Sequence, residues 1–146
     1  MKAGRYILLI MLLLSLVACF GEEPIETERL SFDGLITETG DQRKISERAT
    51  SLEGEVVEME GFISPMTPFI EDFFYFVNSP SYSCPFCAGE EVDLLDIVQV
   101  YYPPEERFGF TFDRIKVIGT LEVGEKTDTE GHPSFFRIRA IEIEEK

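Results

Sequence analysis

From Glu55 onward, apolar residues recur at every second position, the spacing at which successive side chains of an extended backbone point to opposite faces. That pattern limits the chain to a mainly β fold. Over residues 55–63, Val57, Met59 and Ile63 fall on one face and Glu58, Glu60 and Phe62 on the other, with Gly61 placed where a bulge would bend the strand. Ser64, Pro65 and Pro68 end it. Residues 72–77 read as a second, aromatic strand, and 96–102 as a third, closed by Pro103 and Pro104. In a fourth, over 114–123, Ile115, Val117 and Leu121 alternate with Lys116, Ile118 and Glu122. In a fifth, over 134–143, Phe136, Ile138 and Ala140 alternate with Arg137 and Arg139. Ahead of them, Ile45, Ala49 and Leu52 are spaced by four and three, which predicts a short amphipathic helix over 42–52 ending near Gly54. Five short strands with irregular connections and one short flanking helix predict a small five-stranded OB-like Greek-key barrel. A small β-sandwich is the alternative, and spacing alone does not separate the two.

The first residues decide where such a domain would live. Lys2 and Arg5 precede an apolar stretch over 6–17 that is interrupted only by Ser15. It suits the core of a signal peptide and falls short of the ~20 residues a membrane-spanning helix needs. Ala18 and Cys19 follow, a small residue and a thiol in the order of a lipobox. The expectation is a lipoprotein signal peptide over 1–18, cleaved before Cys19, with Cys19 acylated and 19–29 forming a lipidated tether. The domain then occupies 30–146, with residues 30–36 as a lead-in packed onto it. One acyl chain holds a protein only marginally, because each buried methylene contributes about 0.8 kcal/mol, so an anchor of this type carries two or three. The expected location is the cell membrane or envelope. In a Gram-negative cell, Phe20 after the lipidated cysteine would direct it to the outer membrane.

Without residues 1–18, the 146-residue chain has enough left for one domain and hardly more. The removed segment holds Lys2, Arg5 and no acid, so a net charge of −15 becomes two units more negative. Such a surface repels phosphate backbones, which argues against a nucleic-acid partner. It also repels anionic headgroups, which predicts a domain standing off the bilayer on its tether.

Leu52, Gly54, Val57, Gly61, Phe62 and Pro65 form an L-x-G-x-x-V-x-x-x-G-F-x-x-P pattern that resembles the opening of the DUF3299 family of bacterial envelope proteins and lipoproteins. The likeness continues through the aromatic strand ahead of Cys84 and Cys87, the strand at 117–121, and Phe135 to Ile138, and so spans nearly the whole mature chain. The resemblance implies an OB-fold-like domain of unassigned activity, in some relatives encoded beside ABC-type transport systems and linked to metal supply. It carries over no catalytic residues.

Cys84 and Cys87, with Pro85 and Phe86 between them, form the reactive constellation of the sequence. An oxidising envelope leaves three chemistries open to them. A disulfide or thiol pair could rigidify the connection between the second and third strands, although so short a ring removes little chain entropy. Two thiolates at this spacing also make half of a tetrahedral zinc site, and suit copper(I). The remaining metal ligands would come from His132, Glu90, Glu91 or Asp93, or from a second molecule. His132 in a Gly131-His132-Pro133 stretch otherwise reads as a hairpin residue. The third chemistry is thiol–disulfide exchange, with Cys84 attacking. Against it, Gly89 breaks any helix after the pair, and Glu90, Glu91 and Asp93 raise a nearby thiol pKa. Met59 and Met66 are soft enough to bind copper but also fit as strand filler, and the aromatic run over 69–76 fits either a stacking platform or a core. No Ser-His-Asp set, phosphate loop or paired-carboxylate signature stands out. The leading expectation is a non-enzymatic accessory or binding module in the envelope, with a transporter or other envelope protein as partner. An envelope thiol–disulfide oxidoreductase is the alternative.

Overall fold

The computed structural model describes residues 25–68, 71–80 and 93–146. The described residues are mainly β, a mixed sheet with one α-helix. Along the chain come strands β1 (Glu28–Arg29), β2 (Ile36–Thr39) and β3 (Gln42–Ile45), helix α1 (Glu47–Ser51), then β4 (Val56–Ile63) and β5 (Phe73–Val77). The last three are β6 (Ile97–Tyr101), β7 (Ile115–Thr127) and β8 (Pro133–Glu145). The five long strands predicted from alternation are β4 to β8.

Their order is β4-β5-β6-β8-β7, and β7 pairs back onto β4, so the hydrogen-bonded sequence returns to its start. All of these pairings are antiparallel except β6 with β8, which run parallel from Val98 opposite Phe136 to Tyr101 opposite Arg139. Val57, Met59 and Ile63 of β4 face the same interior as Phe74 and Phe76, Val98 and Val100, Val117 and Leu121, and Phe136 and Ile138. Burial of these side chains stabilises the fold by about 1.5–3 kcal/mol each before ordering costs. The lead-in packs as expected: Leu30, Phe32 and Leu35 join the same core. Glu28 and Arg29 run parallel to β4, opposite Val57 and Glu58.

Three local expectations are corrected. Residues 42–45 are not helical. They form β3, which pairs with β2 across a two-residue Gly40-Asp41 turn, with Gly40 at φ 61°. Ile36 faces Ile45 in that hairpin, so the apolar residue read as the first turn of a helix has a cross-strand partner instead. Helix α1 begins only after Ser46, whose Oγ accepts from the Ala49 N–H at 2.9 Å. Second, Gly61 is no bulge. Burial alternates without a break from Val57 to Ile63, and Gly61 marks where β4 leaves β7 and begins to pair with β5. A Cβ there would lie 2.6 Å from the Val77 carbonyl oxygen, so glycine is needed for close approach. Third, the bulge lies between β7 and β8. Ile118 pairs with Glu142 but Gly119 with Ala140, leaving Ile141 as the extra residue, turned outward and exposed.

Candidate functional site on the outer face of β5, β6 and β8

Residues facing away from the core on β5, β6 and β8 assemble a second, polar cluster. Cross-strand register sets Phe73 opposite Tyr101 and Tyr75 opposite Gln99, and it continues from Gln99 to Arg137 and from Tyr101 to Arg139. A second irregularity in β7, around Gly124 at φ 113°, bends the β7–β8 hairpin so that its tip reaches this face.

The tip is locked by Asp128. Its Oδ1 accepts from the backbone N–H groups of Glu130 (3.0 Å) and His132 (2.8 Å), and its Oδ2 lies 3.0 Å from His132 Nδ1. Gln99 Nε2 reaches the same oxygen at 3.4 Å. Burial pushes the Asp128 carboxyl up, but the backbone N–H and imidazole of His132 outweigh it and hold the group below its ordinary range. The His132 ring meets Phe73 edge to face, centroids 5.3 Å apart, which helps to bury Phe73 on what would otherwise be an open surface.

Beside it lies an arginine pair. Arg137, 5% exposed, donates from Nε to Glu122 Oε2 at 3.0 Å and from an Nη to the Gly124 carbonyl at 2.8 Å. Arg139 donates to Glu122 Oε1 at 2.9 Å and stacks over the Tyr101 ring at 3.9 Å. Burial pushes the Glu122 carboxyl up, and the two guanidinium hydrogen bonds overcome it and lower it. Burial also raises the phenols of Tyr75 and Tyr101. Gln99 sits at the centre, 1% exposed, and its Oε1 has no hydrogen-bond partner among the described residues. A buried acceptor left open costs about 1–3 kcal/mol.

Of the residues singled out from sequence, Cys19, Cys84, Cys87, Glu90 and Glu91 lie outside the described residues. His132 is in the β7–β8 turn, with Nδ1 engaged by Asp128. Asp93 caps the 3-10 turn Leu94–Asp96, accepting from the Leu95 N–H at 3.0 Å, and pairs with Arg43. Arg43 also binds Asp96, and these carboxylates raise its pKa, the hydrogen bond to Asp96 contributing most. Asp93 and Asp96 are thereby clamped to β3. Met59 is in the core and Met66 on the surface, so the two do not converge. The aromatic run divides: Phe74 and Phe76 are core, while Phe73 and Tyr75 serve the outer face. Among the described residues no three His, Cys, Asp or Glu side chains stand close enough to hold a metal ion, and no helix is long and apolar enough to cross a membrane.

The sequence pattern does not mark Gln99, Glu122, Asp128, Arg137 and Arg139 as a site. A glutamine amid Val98 and Val100 is the available signal. The rest is invisible until the hairpin folds over.

No family model and no curated protein matches the chain. Among solved structures, its fold matches that of a DUF3299 family protein from Pseudomonas aeruginosa PAO1, with a TM-score of 0.56 at 14% identity. That alignment covers 83% of this chain and 97% of the other. A provisionally assigned aspartyl-tRNA synthetase from Leishmania major Friedlin aligns over 87% of this chain but 22% of its own, with 9% identity and a TM-score of 0.44.

Proposed function

We propose that this chain, which shares its fold with a DUF3299 family protein, is a lipid-anchored, non-enzymatic binding module of the bacterial envelope built on an OB-type barrel. Support for the barrel comes from the strand order. A five-strand cycle in which the first strand pairs with the second and fourth, and the third runs parallel to the fifth, is the connectivity of that Greek-key fold. Support for the anchor comes from the lipobox at Cys19.

The observation that carries a binding role is the outer face of β5 and β6. OB folds take ligands on the face of their second and third strands, beside the loop joining the fourth and fifth. In this chain that face holds the open Gln99 acceptor, flanked by Tyr75, Tyr101 and the Asp128–His132 turn. The connection bearing Cys84 and Cys87 joins the same two strands, and makes a thiolate-bound zinc or copper ion, or an envelope protein such as a transporter component, the favoured occupants.

Elemental analysis and thiol titration of the purified native protein test this reading. Stoichiometric zinc or copper, lost in Cys84→Ser, supports binding. Loss in His132→Ala as well would make His132 a ligand, whereas retained metal with lowered stability would leave it a turn lock. A metal-free pair with a reduction potential in the range of exchange catalysts would replace this function with thiol–disulfide exchange.

A further inference from the structure

We infer that the gap between the end of β6 and the second half of β8 is a binding site for a short peptide, held by its free carboxylate and its cationic end. The gap has a simple origin. Parallel pairing stops at Tyr101 opposite Arg139, because Pro103 and Pro104 follow and proline has no N–H with which to extend the ladder. β8 nevertheless runs on to Glu145, paired from there with β7 alone. From Ala140 onward no strand among the described residues lies along its other edge. Ile141, Glu142, Glu144 and Glu145 are all exposed. Between the parting strands lies a cavity of about 680 Å³, within the size range of small-ligand sites.

Both signs of charge line this cavity. On the β8 side Arg139 is stacked over Tyr101 at 3.9 Å and held at Nε by Glu122 Oε1 at 2.9 Å. Neither contact uses the N–H groups of its two Nη atoms, which form the planar fork that takes a carboxylate bidentately. A guanidinium already ordered from two directions loses little further freedom when a ligand binds. On the loop side the Tyr102 N–H donates to the Asp72 carbonyl at 3.0 Å, and the Glu106 N–H closes a turn on the Pro103 carbonyl at 3.2 Å. That turn carries Glu105 and Glu106, which have no ion-pair partner among the described residues. The remaining charges of the cavity are matched to each other, Arg107 to Asp72 at 2.6 Å. Tyr102, Pro103 and Pro104 add apolar surface.

This lining selects the ligand. One guanidinium fork is left against two carboxylates once Arg107 and Asp72 are paired. Phosphate or another compact anion satisfies the fork and is repelled by the carboxylates, and a simple amine does the reverse. A zwitterion matches both. The open strand edge beside the fork adds main-chain donors and acceptors, which an extended peptide can pair with and a free amino acid cannot. The site uses neither Cys19 nor the Cys84 and Cys87 pair, so it stands or falls separately from the anchor and the metal.

Titration calorimetry of the purified native protein with tri-L-alanine tests the site. Binding should weaken at least about ten-fold for the C-terminal amide, which takes a charged partner from Arg139. It should weaken several-fold for the N-acetyl peptide. Free L-alanine and inorganic phosphate should each bind far more weakly than the tripeptide. Arg139→Gln should lose affinity for tri-L-alanine, and in that variant amidation should cost little more. Because Arg139 also braces Glu122 and Tyr101, a second variant keeps the test independent of folding. Glu105→Gln combined with Glu106→Gln, on an exposed turn, should leave the melting temperature nearly unchanged and remove the penalty for N-acetylation. No binding of any peptide at millimolar concentration overturns the site. Affinity indifferent to amidation, or phosphate bound as tightly as the tripeptide, overturns it as well. Free L-alanine bound equally tightly overturns the assignment to a peptide.

Discussion

Among single residues, two glycines are fixed by backbone proximity. A Cβ at Gly119 would stand 2.3 Å from the Arg139 carbonyl oxygen and 2.8 Å from Ala140 Cα, neither of which can swing aside. At Gly61 it would meet the Val77 carbonyl and the rings of Phe32 and Phe76. Gly61→Ala and Gly119→Ala should each destabilise the fold by about 1–3 kcal/mol in urea unfolding, the usual cost of overpacking. Gly109→Ala, with nothing within 4 Å, should leave the midpoint nearly unchanged. Asp128 governs a different measurement. Its carboxyl is lowered in the folded protein, so the folded state releases the proton more readily than the unfolded chain does. Its contribution is therefore complete above the ordinary carboxylate range, near about pH 4, and is lost as pH falls through the lower folded value. Asp128→Asn should flatten the fall in melting temperature over that acidic interval, and an unchanged pH profile would refute the role given to this carboxylate.

Among the elements, α1 and the β2–β3 hairpin depend on one hydroxyl. Ser46 Oγ accepts from the Ala49 N–H and donates to the Gly34 carbonyl at 2.6 Å, joining helix to lead-in. Ser46→Ala should cost about 1–2 kcal/mol, because it removes a cap and a hydrogen bond to the half-buried Gly34 carbonyl. The loss should appear first as faster amide exchange at Ala49 and Leu35. Five helical residues are too few to hold a helix by propensity. Packing of Ala49 and Leu52 into the core holds this one.

For the molecule taken whole, the segment ahead of β4 belongs to the core. Leu30, Phe32 and Leu35 are all buried in it, each contributing about 1.5–3 kcal/mol. A domain of this size is stable by only about 5–15 kcal/mol. A chain starting at residue 36 should therefore lose cooperative unfolding, whereas one starting at Ile25 should keep it, as followed by circular dichroism on heating. Part of the acidic surface is offset by local ion pairs. Arg29 with Glu58, Lys116 with Glu144 and Lys146 with Glu60 run across the outer side of β4, β7 and β8.

Which stretches are extended and which side chains turn inward follows from residue order, because alternation is a property of close neighbours. Val57, Met59, Phe74, Phe76, Val117, Leu121, Phe136 and Ile138 can all be read from period two. The remainder depends on what lies opposite in space. Residues 42–45 are a strand because Ile36 offers Ile45 a partner, which outweighs a weak helical spacing. Gly61 is a point of close approach and Ile141 the bulge, since register depends on the facing strand. Arg137, an outward residue by alternation, is buried where the β7–β8 tip folds over it, and the same bend brings Asp128 and His132 to Gln99. Those contacts join residues about thirty positions apart, and pairing at that range is settled by the free energy of the whole closed sheet, which no local pattern encodes.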